Sequence, residues 1–274
     1  MALDLLPLIF LGFAIAVYGT MIGAGGGFIL VPVLLLLFPE YGPEKVTAVS
    51  LAVVCMNATS GSLAFSRQRT IDYLTGLLFA ASAAPGVIAG ALLVHFFPER
   101  LFAGLFGGLL LFLAIFVARQ RVASVQPPVR GRGVIVRTVT FDGRQYRYAY
   151  KAWQAVALSG FIGLISSLFG VGGGVIHVPA MISLLHIPVH FAVATSQFIL
   201  AFMAGGGTIV HLLDGSLAGK ALAQAAFLGL GAVPGAQVGA RIARRTRGRS
   251  ILIMLAGALV LLAIRLIVKS VADL

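Results

Sequence analysis

Two stretches decide the fold: Gly23-Ala24-Gly25-Gly26-Gly27-Phe28-Ile29-Leu30-Val31-Pro32 and Gly170-Val171-Gly172-Gly173-Gly174-Val175-Ile176-His177-Val178-Pro179. Both read G-x-G-G-G-x-x-x-V-P. Each interrupts a hydrophobic block, about 5–38 and 153–185, that is too long for one straight membrane helix. Glycine has no Cβ, so it reaches φ > 0 and lets a second backbone or a ligand come close. The chain is therefore expected to turn at each motif and to start a short second arm just after it, near 27–38 and 174–186. The match extends beyond the motif. Ala48-Val49-Ser50 aligns with Ala194-Thr195-Ser196, Gly61-Ser62 with Gly207-Thr208, Ala84-Pro85-Gly86 with Val233-Pro234-Gly235, and Gly90-Ala91 with Gly239-Ala240. The offset stays between 146 and 149 residues throughout, which indicates a duplication.

The composition says where such a chain lives. Of 274 residues, 59% are hydrophobic and 10% charged, against about a quarter charged in soluble domains. A globule of this size could not hide that much apolar surface from water. This excludes an ordinary soluble enzyme, a disordered chain and a DNA-binding domain, and leaves an all-α polytopic membrane protein. Eight hydrophobic blocks are visible, about 5–38, 46–66, 74–97, 101–118, 153–185, 190–212, 219–240 and 250–268. Six of them fit a single span of about 20 residues. The start, Met1-Ala2-Leu3-Asp4-Leu5-Leu6, lacks a basic n-region and a small-residue cleavage site, so it reads as a retained segment. The single cysteine, Cys55, permits no internal disulfide and no cysteine-based metal site.

Three regions follow: a first membrane repeat over 1–118, a basic linker over 119–151, and a second membrane repeat over 152–274. The linker carries Arg119, Arg121, Arg130, Arg132, Arg137, Arg144, Arg147 and Lys151 against Asp142 alone. Pro127-Pro128 marks its start as extended chain. Two β-prone runs, Val134–Phe141 and Arg144–Tyr150, flank Asp142-Gly143, a strong hairpin signal. The net charge of +12 reflects basic residues retained on the cytoplasmic side, and no nucleic-acid partner is expected. With the linker in the cytoplasm, Arg67 and Arg69 also face inward. So do Arg241, Arg244, Arg245, Arg247 and Arg249, yet they occupy the place equivalent to the outer loop 96–100. The repeats are therefore expected to be inverted. Three full spans per repeat, plus a glycine-broken hairpin returning to its own side, satisfy this, as do five crossings. Inverted repeats with broken helices are a transporter architecture, with the site near the midplane.

The glycine arms carry the chemistry. The first N–H groups of each short helix lack intrahelical partners and stand at the positive end of its dipole. Two such ends, from Gly25, Gly26 and Gly27 and from Gly172, Gly173 and Gly174, would cradle an anion without a fixed cation. Polar side chains inside apolar spans are costly and informative. Ser50, Asn57, Ser196 and Gln197 are expected to line the cradle. The bland alternative is interhelical hydrogen bonding. His177 sits within the second arm, either as an anion or proton site or as a neutral core histidine. Asp72 and Asp214 read as surface loop residues, and Cys55 and Met56 as packing or lipid-facing. Pro32 and Pro179 are expected to end or kink the first turns of their arms, and Pro85 and Pro234 to kink their helices.

The paired glycine motifs, the charged central loop and the eight apolar segments resemble the sulfite exporter TauE/SafE family of membrane permeases, from about Gly12 to Leu266. The resemblance implies a protein of the cytoplasmic membrane that moves a small sulfur-containing anion, such as sulfite or an organosulfonate, usually outward. Neither a cofactor nor a metal is expected, and membrane lipid is the surrounding partner. The alternatives are a passive anion channel of the same build, or a membrane enzyme or sulfur-relay component using Cys55 and His177. A metal-cation permease is disfavoured because no acid, His/Cys cluster or Met ladder lies within the spans. No nucleotide-binding motif is present, so the chain itself does not draw on ATP. Substrate, direction, coupling ion and oligomeric state stay open at this point.

Overall fold

A computed structural model describes residues 5–119, 133–141 and 144–272 of the chain, apart from the side chains of 141, 144 and 267–272. The Pro127-Pro128 linker and the Asp142-Gly143 turn lie outside the described residues. Ten α-helices are present among them: α1 Leu6–Met21, α2 Gly27–Leu37, α3 Pro43–Arg67, α4 Tyr73–Leu93, α5 Glu99–Ala118, α6 Ala152–Leu168, α7 Gly174–Ser183, α8 Val189–Leu213, α9 Gly219–Arg245 and α10 Gly248–Ala272. A short 3-10 turn, Val94–Phe96, extends α4, and a β-hairpin joins the halves. The long blocks 5–38 and 153–185 are each broken at their glycines into two short helices. The other six blocks form helices long and apolar enough to cross a membrane. The second arms end at Leu37 and Ser183, and α2 and α7 continue past the buried Pro32 and Pro179. Those prolines do not end the helix.

The packing shows the inversion directly. A Cβ on Gly207 would stand 2.8 Å from the Leu51 side chain, and one on Gly61 would stand 3.4 Å from Gln197 Oε1. These two pairs are exchanged by the 146-residue offset, and they run in opposite senses along α3 and α8. The equivalent helices α3 and α8 are thus antiparallel and cross near Cys55 and Ala201. At two further large interfaces the helices run parallel. Gly231, Gly235 and Gly239 of α9 press on the backbone at Ile9, Phe13 and Val17 of α1. Gly86 and Gly90 of α4 press likewise on Gly160 and Leu164 of α6. Small residues four apart let membrane helices approach this closely. The consequence is an exchange of arms. The helices form two groups of three, α1–α3–α9 and α4–α6–α8, each built from both repeats, with α5 packed on α10.

The hairpin forms as the sequence reading expects. Strand β1, Val134–Phe141, pairs antiparallel with β2, Arg144–Lys151, with Phe141 opposite Arg144. It does not hang free. Asp72, expected as a surface residue, is buried as the N-cap of α4, because the hairpin covers it. Arg137 grips both carboxylate oxygens at 2.8–3.1 Å, and the Tyr148 hydroxyl donates to one of them at 2.5 Å. Thr75 donates to it as well, and Tyr150 meets the Thr75 hydroxyl at 2.7 Å. Burial opposes ionisation of Asp72, but hydrogen bonds from Arg137, Thr75 and Tyr148, with the Arg137 charge, hold its pKa below the usual value. Burial, then the neighbouring carboxylate, pushes the Tyr148 phenol well above its usual range.

Candidate functional site

Both glycine turns are shaped by backbone bonds. In the first, the Ala24 and Gly25 N–H groups donate to Gly19 O at 2.8 and 3.1 Å. In the second, the Val171 N–H donates to Ser166 O at 3.0 Å. Gly23, Gly25 and Gly26 have φ of 77°, 73° and 84°, and Gly170, Gly172 and Gly173 have 68°, 78° and 91°. Side-chain-bearing residues rarely adopt these values. The last glycine of each motif is required for a different reason. A Cβ on Gly27 would stand 2.7 Å from Gly170 O, and one on Gly174 would stand 2.9 Å from the Ala24 Cα. The two turns thus touch backbone to backbone at the middle of the molecule.

Ser50 and Ser196 tie this contact from both sides. Ser50 Oγ donates to Gly170 O at 2.6 Å, and Ser196 Oγ donates to Gly23 O at 2.9 Å. The bonds are related by the internal repeat. Each joins a serine of one long helix to the first glycine of the other repeat's turn, and so crosses between the two helix groups. Val54 and Leu200, also related by the repeat, cover the faces of Gly25 and Gly172. With Leu51, Ala58 and Ala204 they make a small buried apolar cluster of their own. The arrangement is closed: the space before the glycine turns is filled by these side chains.

The symmetry is broken beside the first turn. Asn57 Nδ2 donates to Gly25 O at 2.7 Å, and its Oδ1 accepts from Thr20 at 2.8 Å. Gln197 Nε2 reaches Gly19 O only at 3.5 Å, and Gln197 Oε1 is buried without a hydrogen-bond partner. At the equivalent places around the second turn stand Met203, Ser167 and Leu51. One side of the crossing is thus a polar nook and the other is mostly apolar. His177 lies in the packed interior beside Gly173, with Nδ1 3.2 Å from Gly173 O and Nε2 3.3 Å from Ser159 Oγ. Phe79 packs against its ring at 5.5 Å.

All eleven residues expected at the site converge on these two turns. Ser50, Asn57 and Ser196 point their donors at turn carbonyls in this closed arrangement, and Gln197 points its amide at Gly19 O near the end of α1. Sequence reasoning did not single out Thr20, Ser159, Val54 or Leu200. Thr20 carried a signal, a hydroxyl in an apolar block just before the glycines. Val54 and Leu200 are ordinary apolar residues, and only their contacts mark them. A separate groove of about 720 Å³ runs along the Arg67 half of α3. Thr59, Ser60, Ser62, Ser66 and Gln237 line it, together with Cys55 and Met56. Gln237 donates to Ser60 O at 2.7 Å, while Ser62 Oγ is buried without a partner.

Comparison with known proteins agrees with this architecture. The sulfite exporter TauE/SafE family model matches residues 8–266. The chain is 31% identical to the probable membrane transporter protein YunE of Bacillus subtilis, over 96% of this chain and 97% of that one. It is 28% identical to a probable membrane transporter protein of Methanocaldococcus jannaschii, over 76% and 73% of the two chains. A probable membrane transporter protein of Haemophilus influenzae is 27% identical over 78% and 76%. No solved structure matches. The broken helices, the exchanged arms and the family match agree: the chain is a multi-pass membrane transporter that belongs to the sulfite exporter TauE/SafE family.

Proposed function

We propose that the protein carries small sulfur-containing anions, such as sulfite or organosulfonates, outward across the cytoplasmic membrane. The substrate binds where the two glycine turns meet. The observation that carries this reading is the reciprocal pair Ser50–Gly170 and Ser196–Gly23. These bonds hold the N-terminal ends of α2 and α7, with their unpaired N–H groups, at the centre of the molecule. Neutral donors suit an anion that must be released again. The Thr20–Asn57–Gln197 nook supplies side-chain hydroxyl and amide groups beside the first turn. Val54 and Leu200 must move aside to admit substrate, so the closed arrangement is an occluded resting state of an alternating cycle. The hairpin and linker lie in the cytoplasm, where basic residues are retained. An anion leaving a negative interior gains about 2.3 kcal/mol per charge per 100 mV, so export needs no coupling ion.

The test is flux from proteoliposomes loaded separately with sulfite, thiosulfate, sulfate or a small sulfonate. The expected result is saturable release of a sulfur anion, with counterflow, accelerated by a potential negative inside. Gly25→Ala and Gly172→Ala should abolish it. Release of cations or neutral solutes alone would overturn the substrate assignment. Linear, unsaturable flux would identify a channel.

A further inference from the structure

At the end of α4 remote from the hairpin, three side chains from two distant parts of the sequence meet. His95 lies in the 3-10 turn after α4, His211 in the last turn of α8, and Asp214 caps α8. One ligand atom from each can be chosen so that all three lie within 4.8 Å of one another. The Asp214 carboxylate is aimed by its surroundings. Its Oδ1 accepts the Ser216 N–H at 2.8 Å, which leaves Oδ2 facing both rings. His95 Nε2 stands 3.1 Å from Oδ2, and His211 Nδ1 stands 3.2 Å from it. Ligand atoms around a tetrahedral ion held at about 2.0–2.1 Å stand about 3.3 Å apart. The two separations from Oδ2 match that spacing. The remaining one closes by a small movement of His95, whose side chain is 35% exposed.

A second observation supports the assignment. His211 is fully buried, yet its Nε2 has no hydrogen-bond partner among the described residues. Among the described residues Asp214 alone holds the ring by a hydrogen bond, so the ring can adjust onto an ion without breaking another. Glu44, in the first turn of α3, lies near enough to act on His211 and adds negative potential at this end. The sequence predicts no histidine cluster within the spans, yet His95 and His211 lie in the last turns of two of them and meet with Asp214. The sequence separation hid it.

We propose that His95, His211 and Asp214 form a binding site for a divalent transition-metal ion, tying the end of α4 to the end of α8. Two imidazoles and one carboxylate suit Zn²⁺ or Co²⁺. They do not suit Mg²⁺ or Ca²⁺, which take mainly oxygen ligands. Three protein ligands leave a fourth position for water on the exposed side formed by His95 and Asp214. The ion is distinct from the transported anion and lies far from the glycine turns, at the opposite end of α8 from Ser196 and Gln197.

The test uses the purified full-length protein in detergent. Co²⁺ should bind one per chain and give the visible absorption of a tetrahedral site. Zn²⁺ should displace it and raise the melting temperature, while Mg²⁺ should do neither. His95→Ala changes a half-exposed residue and should leave the metal-free melting temperature unaltered. It should weaken Zn²⁺ binding by about 100-fold, as loss of a ligand or its support does. Asp214→Asn should act in the same direction. Absence of Co²⁺ absorption in the parent protein overturns the assignment, as does Zn²⁺ binding that is unchanged in both variants. These readouts do not depend on what is transported.

Discussion

At the scale of single residues, each glycine of the motif has its own physical reason. The three at positive φ are conformational, and the last in each motif is steric. Gly25→Ala and Gly172→Ala therefore combine backbone strain with a clash into Leu200 or Val54. Both should lower the melting temperature as well as the flux. Ser50→Ala and Ser196→Ala are milder. Each leaves one buried carbonyl unpaired, at about 1–3 kcal/mol. A double-mutant cycle read by thermal denaturation should show the two effects coupled, because both bonds hold one contact. Additive effects would mean that the turns are held independently. Asp72 makes a prediction about pH. Its folded pKa lies below the unfolded value of about 3.9, so its stabilisation is full above that value and fades as pH falls through the lower folded one. Hydrogen exchange at β1 and β2 should be unresponsive to hairpin undocking between pH 8 and 5, and accelerate below about pH 4. Asp72→Asn should undock the hairpin at neutral pH, since it leaves Arg137 without its carboxylate.

At the scale of elements, the parallel glycine contacts of α1 with α9 and of α4 with α6 decide which helices move together. Gly235→Leu would drive a side chain into the Phe13 backbone, and Gly90→Leu would meet Leu164. Both should prevent recovery of folded protein in detergent. Gly108→Leu in α5, where a Cβ would meet nothing within 4 Å, should be tolerated. Equal damage from all three would mean that the close contacts at Gly90 and Gly235 are not what requires glycine, since Gly→Leu by itself raises helix propensity. The hydrophobic blocks and their glycine interruptions made these helices legible in advance, because helix length in lipid follows directly from apolar run length. Which helix pairs with which was not legible, because a stripe of small residues is compatible with several neighbours.

At the scale of the whole molecule, the two helix groups each mix both repeats, so rocking would move α1–α3–α9 against α4–α6–α8, not one repeat against the other. Ser50–Gly170 and Ser196–Gly23 are the bonds that such motion must break. The placement of the ends can be checked in cells after Cys55→Ala. Phe96→Cys, on the face remote from the hairpin, should react with an impermeant thiol reagent in intact cells. Gln145→Cys, on the hairpin, should react only after permeabilisation. The reverse pattern would invert the orientation and with it the proposed direction of transport.

The sequence alone determined the class, the duplication, the breaks at Gly23–Gly27 and Gly170–Gly174, and the hairpin strands. Each of these follows from local chemistry: apolar run length, glycine's conformational freedom and β-prone alternation around Asp-Gly. It also pointed to Ser50, Asn57, Ser196, Gln197 and His177, because a polar group in an apolar span is costly and stands out. Only the tertiary structure decided that the serines cross between repeats, that Val54 and Leu200 close the space before the turns, and that Asp72 is buried under the hairpin. It alone brought His95 to His211 and Asp214. These facts depend on which surfaces meet, and the fold brings together residues from 65 to 173 positions apart, whose local sequence carries no record of the contact.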